Sequence, residues 1–354
     1  MKRTLWQSTL AILILVSLSG FALAQSATFH ILSSPPAPWA NLSLSRNGKV
    51  MAANLAGEMY RWTPKDGFVN LGPGDPFNSS IGISADGSAI TSGIVGPDGN
   101  TNPGIWKQST GWVSLGHPKR ACAMDGSWGS GWSLNADGSM AVGLAWYCPG
   151  AQAFRWSAWE GMVGMGHPAG ASSRASAISA DSSTIVGFYE DPKQGFRRAV
   201  RWTVNGRTML GGKHTPGEAT AVSTNGSVIV GQAADASGYA RAFYYTDAAG
   251  LVPLGTISGN DTDQSSANGV SDNGIVIGWS GDPFWGGVSP FIWNAQTPGT
   301  SMISLQDGLI AAGARIPKNV FLTTALAISA DGSTIVGTWM DANWNQGIWM
   351  AKLK

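Results

Sequence analysis

The stretch Ala325-Leu326-Ala327-Ile328-Ser329-Ala330-Asp331-Gly332-Ser333-Thr334-Ile335-Val336-Gly337 joins an alternating segment, a polar turn and an apolar run ending in glycine. Asp-Gly supplies the positive φ that a tight hairpin needs, and the β-branched run after it suits a buried central strand. An aromatic segment follows, Gly347-Ile348-Trp349-Met350, and then the chain stops. Aligned on the serine before the turn, the pattern recurs at Ser45, Ser84, Asn135, Ser179, Ser223, Ser271 and Ser329, 39 to 58 residues apart. That period belongs to four-stranded propeller blades and exceeds those of leucine-rich and ankyrin repeats.

Working outward from the turn, each copy reads as four strands. The third carries aromatic residues two apart, as in Phe154 with Trp156 or Phe291 with Trp293, which places both on one face. The fourth ends in pairs such as Leu115-Gly116, Leu210-Gly211 and Leu254-Gly255. The seventh copy lacks this strand, while Thr28-Phe29-His30-Ile31-Leu32 stands ahead of the first copy with no partner of its own. The fold predicted is therefore all-β: a seven-bladed β-propeller of four-stranded antiparallel blades, closed by the N-terminal strand completing the last blade. A closed ring removes the exposed edges that an open array would leave. A linear β-solenoid is the structural alternative, but it needs no such exchange between the ends.

Composition agrees and excludes other classes. Of 354 residues, 48 are glycine and 18 proline, which favours many tight turns over helices. Charged residues make up 12% and the net charge is +1, too little for a nucleic-acid footprint or a polybasic membrane patch. A hydrophobic fraction of 43% excludes disorder.

Lys2 and Arg3, the apolar stretch Leu10 to Leu18 and Ala22-Leu23-Ala24 have the three parts of a secretory signal peptide. Cleavage is expected after Ala24, leaving residues 25–354 as one exported propeller domain, periplasmic or extracellular, with no membrane span. Export permits a disulfide, and Cys122 and Cys148 are the only two cysteines. Propeller topology puts the loops before the first strand and between the second and third on one face, here called upper. Both cysteines fall there, so a bridge between them is expected, although spacing alone does not distinguish it from two thiols.

Ala153-Phe154-Arg155-Trp156, Gly161-Met162 and Met165-Gly166, with Ile178-Ser179-Ala180-Asp181 and Ile185-Val186-Gly187, resemble the extracellular repeat family named for a His-Ala-Phe (HAF) motif. The resemblance covers residues 40 to 350 and implies an exported bacterial propeller-like protein with no established reaction. The name-giving histidine is replaced by Gln152, Arg198 and Arg241, so no role tied to it carries over. In copies two and seven, Gly104-Ile105-Trp106 and Gly347-Ile348-Trp349, the register is open.

A residue present in every copy belongs to scaffold, because a site needs one constellation and the scaffold needs seven. Asp191, Asp235, Asp282 and Asp341, with Asp98, follow the second strand at four or five residues and suit Asx turns; near a ring's centre they could also serve as general acid and base. Asp86, Asp137 and Asp331 suit turn chemistry alone. His117, His167 and His214 could approach one another on the upper face, but no carboxylate or cysteine accompanies them at ligand spacing, so neither metal nor cofactor is expected.

Tryptophan is in surplus, at 17. Six occupy the repeat position (Trp62, Trp106, Trp156, Trp202, Trp293 and Trp349). Trp128, Trp132, Trp146, Trp279, Trp285, Trp339 and Trp344, with Tyr189, fall in or beside the upper loops and form the candidate ligand-binding set. Their rings could stack on sugar faces or could fill the widening gaps between blades. The expected function is a binding or interaction module, with a polysaccharide or surface protein as partner. The alternative is a glycan-cleaving enzyme, hydrolase or lyase, using a pair among Glu190, Asp191, Asp282 and Asp341. A purely structural role in assembly is the third reading.

Overall fold

A computed structural model describes residues 26–33, 35, 40–74, 80–96, 99–117, 128–147, 150–166, 171–284, 287–296 and 301–354. Seven four-stranded antiparallel sheets follow one another, and six of them run from inner to outer strand in chain order. Blade one, for example, comprises Asn41–Leu44, Met51–Leu55, Glu58–Thr63 and Gly67–Pro73. Blade seven is built from Phe321–Ile328, Thr334–Met340 and Gln346–Leu353, and its outer strand is Ala27–Leu32. Ala27 pairs with Leu353 and Leu32 with Ile348, so the ring closes as the unpaired segments of the sequence require.

The hairpin between first and second strands is a self-contained hydrogen-bonded unit. In blade seven the Ser329 hydroxyl donates to Asp331 Oδ1 at 2.6 Å and accepts the Thr334 N–H at 2.9 Å. Asp331 Oδ1 in turn accepts the Ser333 N–H. The same bonds recur with Ser84 and Asp86, Ser179 and Asp181, Ser45 and Asn47, and Ser223 and Asn225. The turn glycine meets two demands: at Gly87, φ is +78°, and a Cβ would collide with Val50 of the preceding blade.

A second device explains the glycine that ends the apolar run. The inner strands of blades three to seven carry a bulge, between Gly131 and Ser133, Ala175 and Ala177, Ala219 and Ala221, Ala267 and Gly269, and Ala325 and Ala327. Each bulge drives a carbonyl over the facing residue of the second strand, so that a Cβ at Gly143, Gly187, Gly231, Gly278 or Gly337 would overlap it. In most of these blades the ring opposite lies on the bare glycine, as Phe154, Phe243, Phe291 and Trp349 do, all fully buried.

That last contact settles the register of copies two and seven. Trp106 pairs with Ile90, the place Trp156 holds against Ala141. Trp349 instead faces Gly337, in the position of Phe154, and Ala351 takes the tryptophan place. Five of the six repeat tryptophans therefore share a position and Trp349 does not.

One short helix, Leu305–Ala311, stands between blades six and seven, capped by Ser304, whose hydroxyl accepts the Asp307 N–H. Leu305 and Leu309 are fully buried in a core shared with Val320, Leu322, Trp349 and Leu353. The carbonyl of Ala312 accepts the Ala27 N–H at 2.8 Å, so the helix end also fixes the closing strand. No helix among the described residues is long and apolar enough to cross a membrane.

Candidate functional site

The seven inner strands surround a central channel of about 330 Å³. Its wall mixes hydroxyls and amides, Ser43, Ser133, Ser176, Thr220 and Asn268, with Leu42, Ile81 and Leu326. The size lies at the small end of ligand sites, and the mixed lining suits a ligand with both hydroxyls and C–H faces.

The residue after each turn serine stands at the lower mouth. In five consecutive junctions its N–H reaches an oxygen on the same residue of the next blade: Ala85 to Ala136, Ala136 to Ala180, Ala180 to Thr224, Thr224 to the Asp272 carboxylate, and Asp272 to Ala330, all between 2.8 and 3.1 Å. Ala330 continues to Arg46, and the Asn47 N–H closes the circuit on Ala85 at 3.4 Å. Arg46 itself reaches across, its guanidinium donating to Thr224 Oγ1 at 2.9 Å and to the Ile178 carbonyl at 3.4 Å. Burial pulls its pKa down, while Asp272 and Asp181 favour the charged form. The lower mouth is thus bridged by one arginine inside a hoop of hydrogen bonds.

At the upper end, on the side of blades three to five, six side chains interlock. The Arg174 guanidinium lies 3.8 Å from the Trp132 ring centre and 5.1 Å from that of Phe188, and it pairs with Glu218. Ser176 also donates to Glu218, at 3.2 Å. Arg197 stacks on Phe188 at 4.2 Å, with Nη1 3.6 Å from the other Glu218 oxygen. Burial, and secondarily the charge of Arg197, lowers the Arg174 pKa to about 9.

The predicted aromatic set divides in two. Trp128 and Trp146 adjoin on blade three, where the Trp146 N–H donates to the Trp128 carbonyl, and His117 stacks on Trp128 with ring centres 4.4 Å apart. Trp132, on the same blade, lines the channel. Trp279, Trp339 and Trp344 belong to blades six and seven. Trp344 is 76% exposed, whereas Trp339 packs into the core and over Gly347. Tyr189 is buried between blades three and four, with Arg207 over its ring at 3.6 Å. The structure therefore does not bring the set into one cluster. Trp285, Asp98, His167, Cys122 and Cys148 with their expected bridge, and the signal segment lie outside the described residues.

The upper-loop aspartates are held by their own loops. Asp191 accepts the Lys193 N–H, Asp235 those of Ser237 and Tyr239, Asp282 that of Phe284, and Asp341 those of Asn343 and Asn345. Two of them also face the arginines that replace the name-giving histidine: Arg241 pairs with Asp235 at 2.8 Å and Arg198 with Asp191 at 3.7 Å. Glu190 accepts the Ser172 N–H at 2.8 Å. This is turn chemistry. His214 contacts Gln194 at 3.2 Å, on a different blade from His117, and no three described His, Cys, Asp or Glu side chains group as metal ligands.

Sequence reasoning passed over Arg46, Arg174, Arg197 and Glu218. A signal was present for three of them: Arg46 stands where four copies have alanine, and Arg174 and Glu218 where blades three, six and seven have Ser130, Ser266 and Thr324. Departure from the repeat, rather than membership in it, marks the channel ends.

No known family's profile matches the chain, and no curated protein does. Solved structures do. The β-propeller domain of the Trilobed protease from Pyrococcus furiosus, described as having an open velcro topology, superposes with a TM-score of 0.56 at 12% identity, over 93% of this chain and 94% of that one. Hydrazine synthase from Kuenenia stuttgartiensis gives 0.52 at 12%, over 90% and 97%. The Cps50 (Swd1) propeller domain of Myceliophteria thermophila gives 0.52 at 12%, over 90% and 98%. At this identity the likeness is one of fold alone.

Proposed function

We propose that this chain is an exported, non-catalytic binding propeller of the HAF-repeat type that recognises glycan at the upper mouth of its central channel. The observation that carries the reading is the asymmetry of the channel, bridged below by Arg46 and walled above by Trp132, whose ring carries Arg174 joined to Glu218 and, through it, to Arg197. A channel spanned at one end by a guanidinium and lined by mixed polar and apolar walls suits a small polar ligand, and an indole beside charged groups can hold a sugar by stacking and hydrogen bonding at once. Export rests on residues 1–24 of the sequence.

Affinity electrophoresis of residues 25–354 through gels carrying soluble polysaccharides tests the proposal. Retardation by at least one polymer, diminished by Trp132→Ala in a chain with unchanged thermal unfolding, is the expected result. Unchanged mobility across neutral and charged polymers alike removes the glycan reading.

A further inference from the structure

We propose that the ligand class at this mouth is acidic: a carboxylate-bearing polysaccharide of the uronate type, held by Arg197 with Arg174 as the positioning cation behind it. The inference rests on the glycan reading above and names its chemistry.

Charge in this chain is scarce but unevenly placed. Between Ser173 and His214 there are seven basic and three acidic side chains, and five of the 12 arginines lie in this one blade. All three acids are already engaged, Asp181 in its hairpin, Asp191 with Arg198 and Glu190 by the Ser172 N–H. Lys193, Arg197 and Lys213, in or beside the upper loops of that blade, are all exposed. Arg201 is paired with Asp247 at 2.7 Å and Arg174 with Glu218, which leaves Lys193, Arg197 and Lys213 as the exposed basic groups there, on a chain that is near neutral as a whole.

Within the cluster, one carboxylate serves two guanidiniums. Glu218 is committed to Arg174, whose side chain is 17% exposed, and to the Ser176 hydroxyl. Arg197 meets the remaining oxygen only at 3.6 Å, beyond hydrogen-bond length, and is 57% exposed. Stacking on Phe188 fixes the plane of its guanidinium, which lowers the entropic cost of a two-point bond to a carboxylate.

Titration calorimetry of residues 25–354 with polygalacturonate and, separately, dextran decides the matter. Polygalacturonate is expected to bind at least about tenfold tighter than dextran, with affinity falling as salt rises. Arg197→Gln is expected to weaken polygalacturonate about tenfold, the worth of one charge-assisted bond. Replacing either Arg174 or Glu218 would strand its partner's buried charge and destabilise the blade, so Arg197→Lys supplies the second arm: it keeps the positive charge but loses the planar two-point donor, and is expected to weaken polygalacturonate about threefold. Equal binding of dextran, or indifference to both substitutions, overturns the acidic preference and leaves the glycan reading standing. Binding of neither polymer, with no retardation by any other polysaccharide, removes both.

Discussion

At the scale of single residues, the departures from the repeat are coupled. Ser182 replaces the turn glycine in blade four and holds φ at +63°, a conformation that costs a side-chain-bearing residue about 1–2 kcal/mol. Asn135 replaces the turn serine one blade earlier, and its Nδ2 donates to Ser182 Oγ at 3.0 Å, a bond worth about 1 kcal/mol. Ser182→Gly should therefore change stability little in the native chain and raise it by about 1 kcal/mol in an Asn135→Ser background. Urea unfolding of the four chains measures the coupling, and a value under about 0.3 kcal/mol makes the two replacements independent. Acid stability also belongs to this scale. Asp86 is held below the usual carboxylate range chiefly by the Ser88 N–H, Asp137 by the Ser139 hydroxyl and Asp181 by the Ser179 hydroxyl. Burial opposes this at Asp331, but bonds from Ser329 and Ser333 outweigh it. With a folded pKa below the unfolded value of about 3.9, each contributes stability present above that value and lost as pH falls through the folded one. Asn47, Asn225 and Asn273 accept the same serine hydroxyl bond without a titrating proton. Replacing all four aspartates by asparagine should thus flatten the loss of stability below about pH 4, and an unchanged acid transition would count against the hairpins as its source.

Among elements, the inner-strand bulge and the glycine beneath it act as one unit. Gly231→Ala should cost at least about 3 kcal/mol, because the overlapping group is the Glu218 backbone carbonyl and the Phe243 ring closes the other side. Gly250→Ala is the control for positive φ alone, since nothing lies near its missing Cβ, and should cost only about 1–2 kcal/mol. Thermal unfolding of the pair separates crowding from backbone preference, and equal losses would remove the crowding argument. The hairpins, the apolar run and the terminal glycine were legible in the sequence because each depends on neighbours within about ten residues. The position of Trp349 was not, because the last blade can slide by two residues without changing which face its rings occupy. The ends of the channel were illegible for a different reason. Arg174, Arg197 and Glu218 meet only when blades four and five are set side by side, and Arg46 finds Thr224 178 residues away.

For the whole molecule, closure is the feature most exposed to test. Ala27–Leu32 covers an otherwise open edge, stacks Phe29 on Trp349 with ring centres 6.2 Å apart, and donates the Ala27 N–H to the helix end. A chain begun at residue 34 should lower the urea midpoint and scatter light at micromolar concentration, through the bare Gln346–Leu353 edge. A synthetic peptide of residues 26–33 should reverse both effects, and a truncated chain that stays monomeric and as stable as before would deny the strand its role. The hoop around Arg46 has a consequence of another kind. All its donors point the same way round, and freeing any one blade severs two links at once. Propellers are often pictured as petals that could open singly, but here no petal can serve as a hinge. The amides of Ala85, Ala136, Ala180 and Ala330, though placed in tight turns, should exchange with deuterium only when the entire wheel comes apart, and all four at one common rate-limiting free energy.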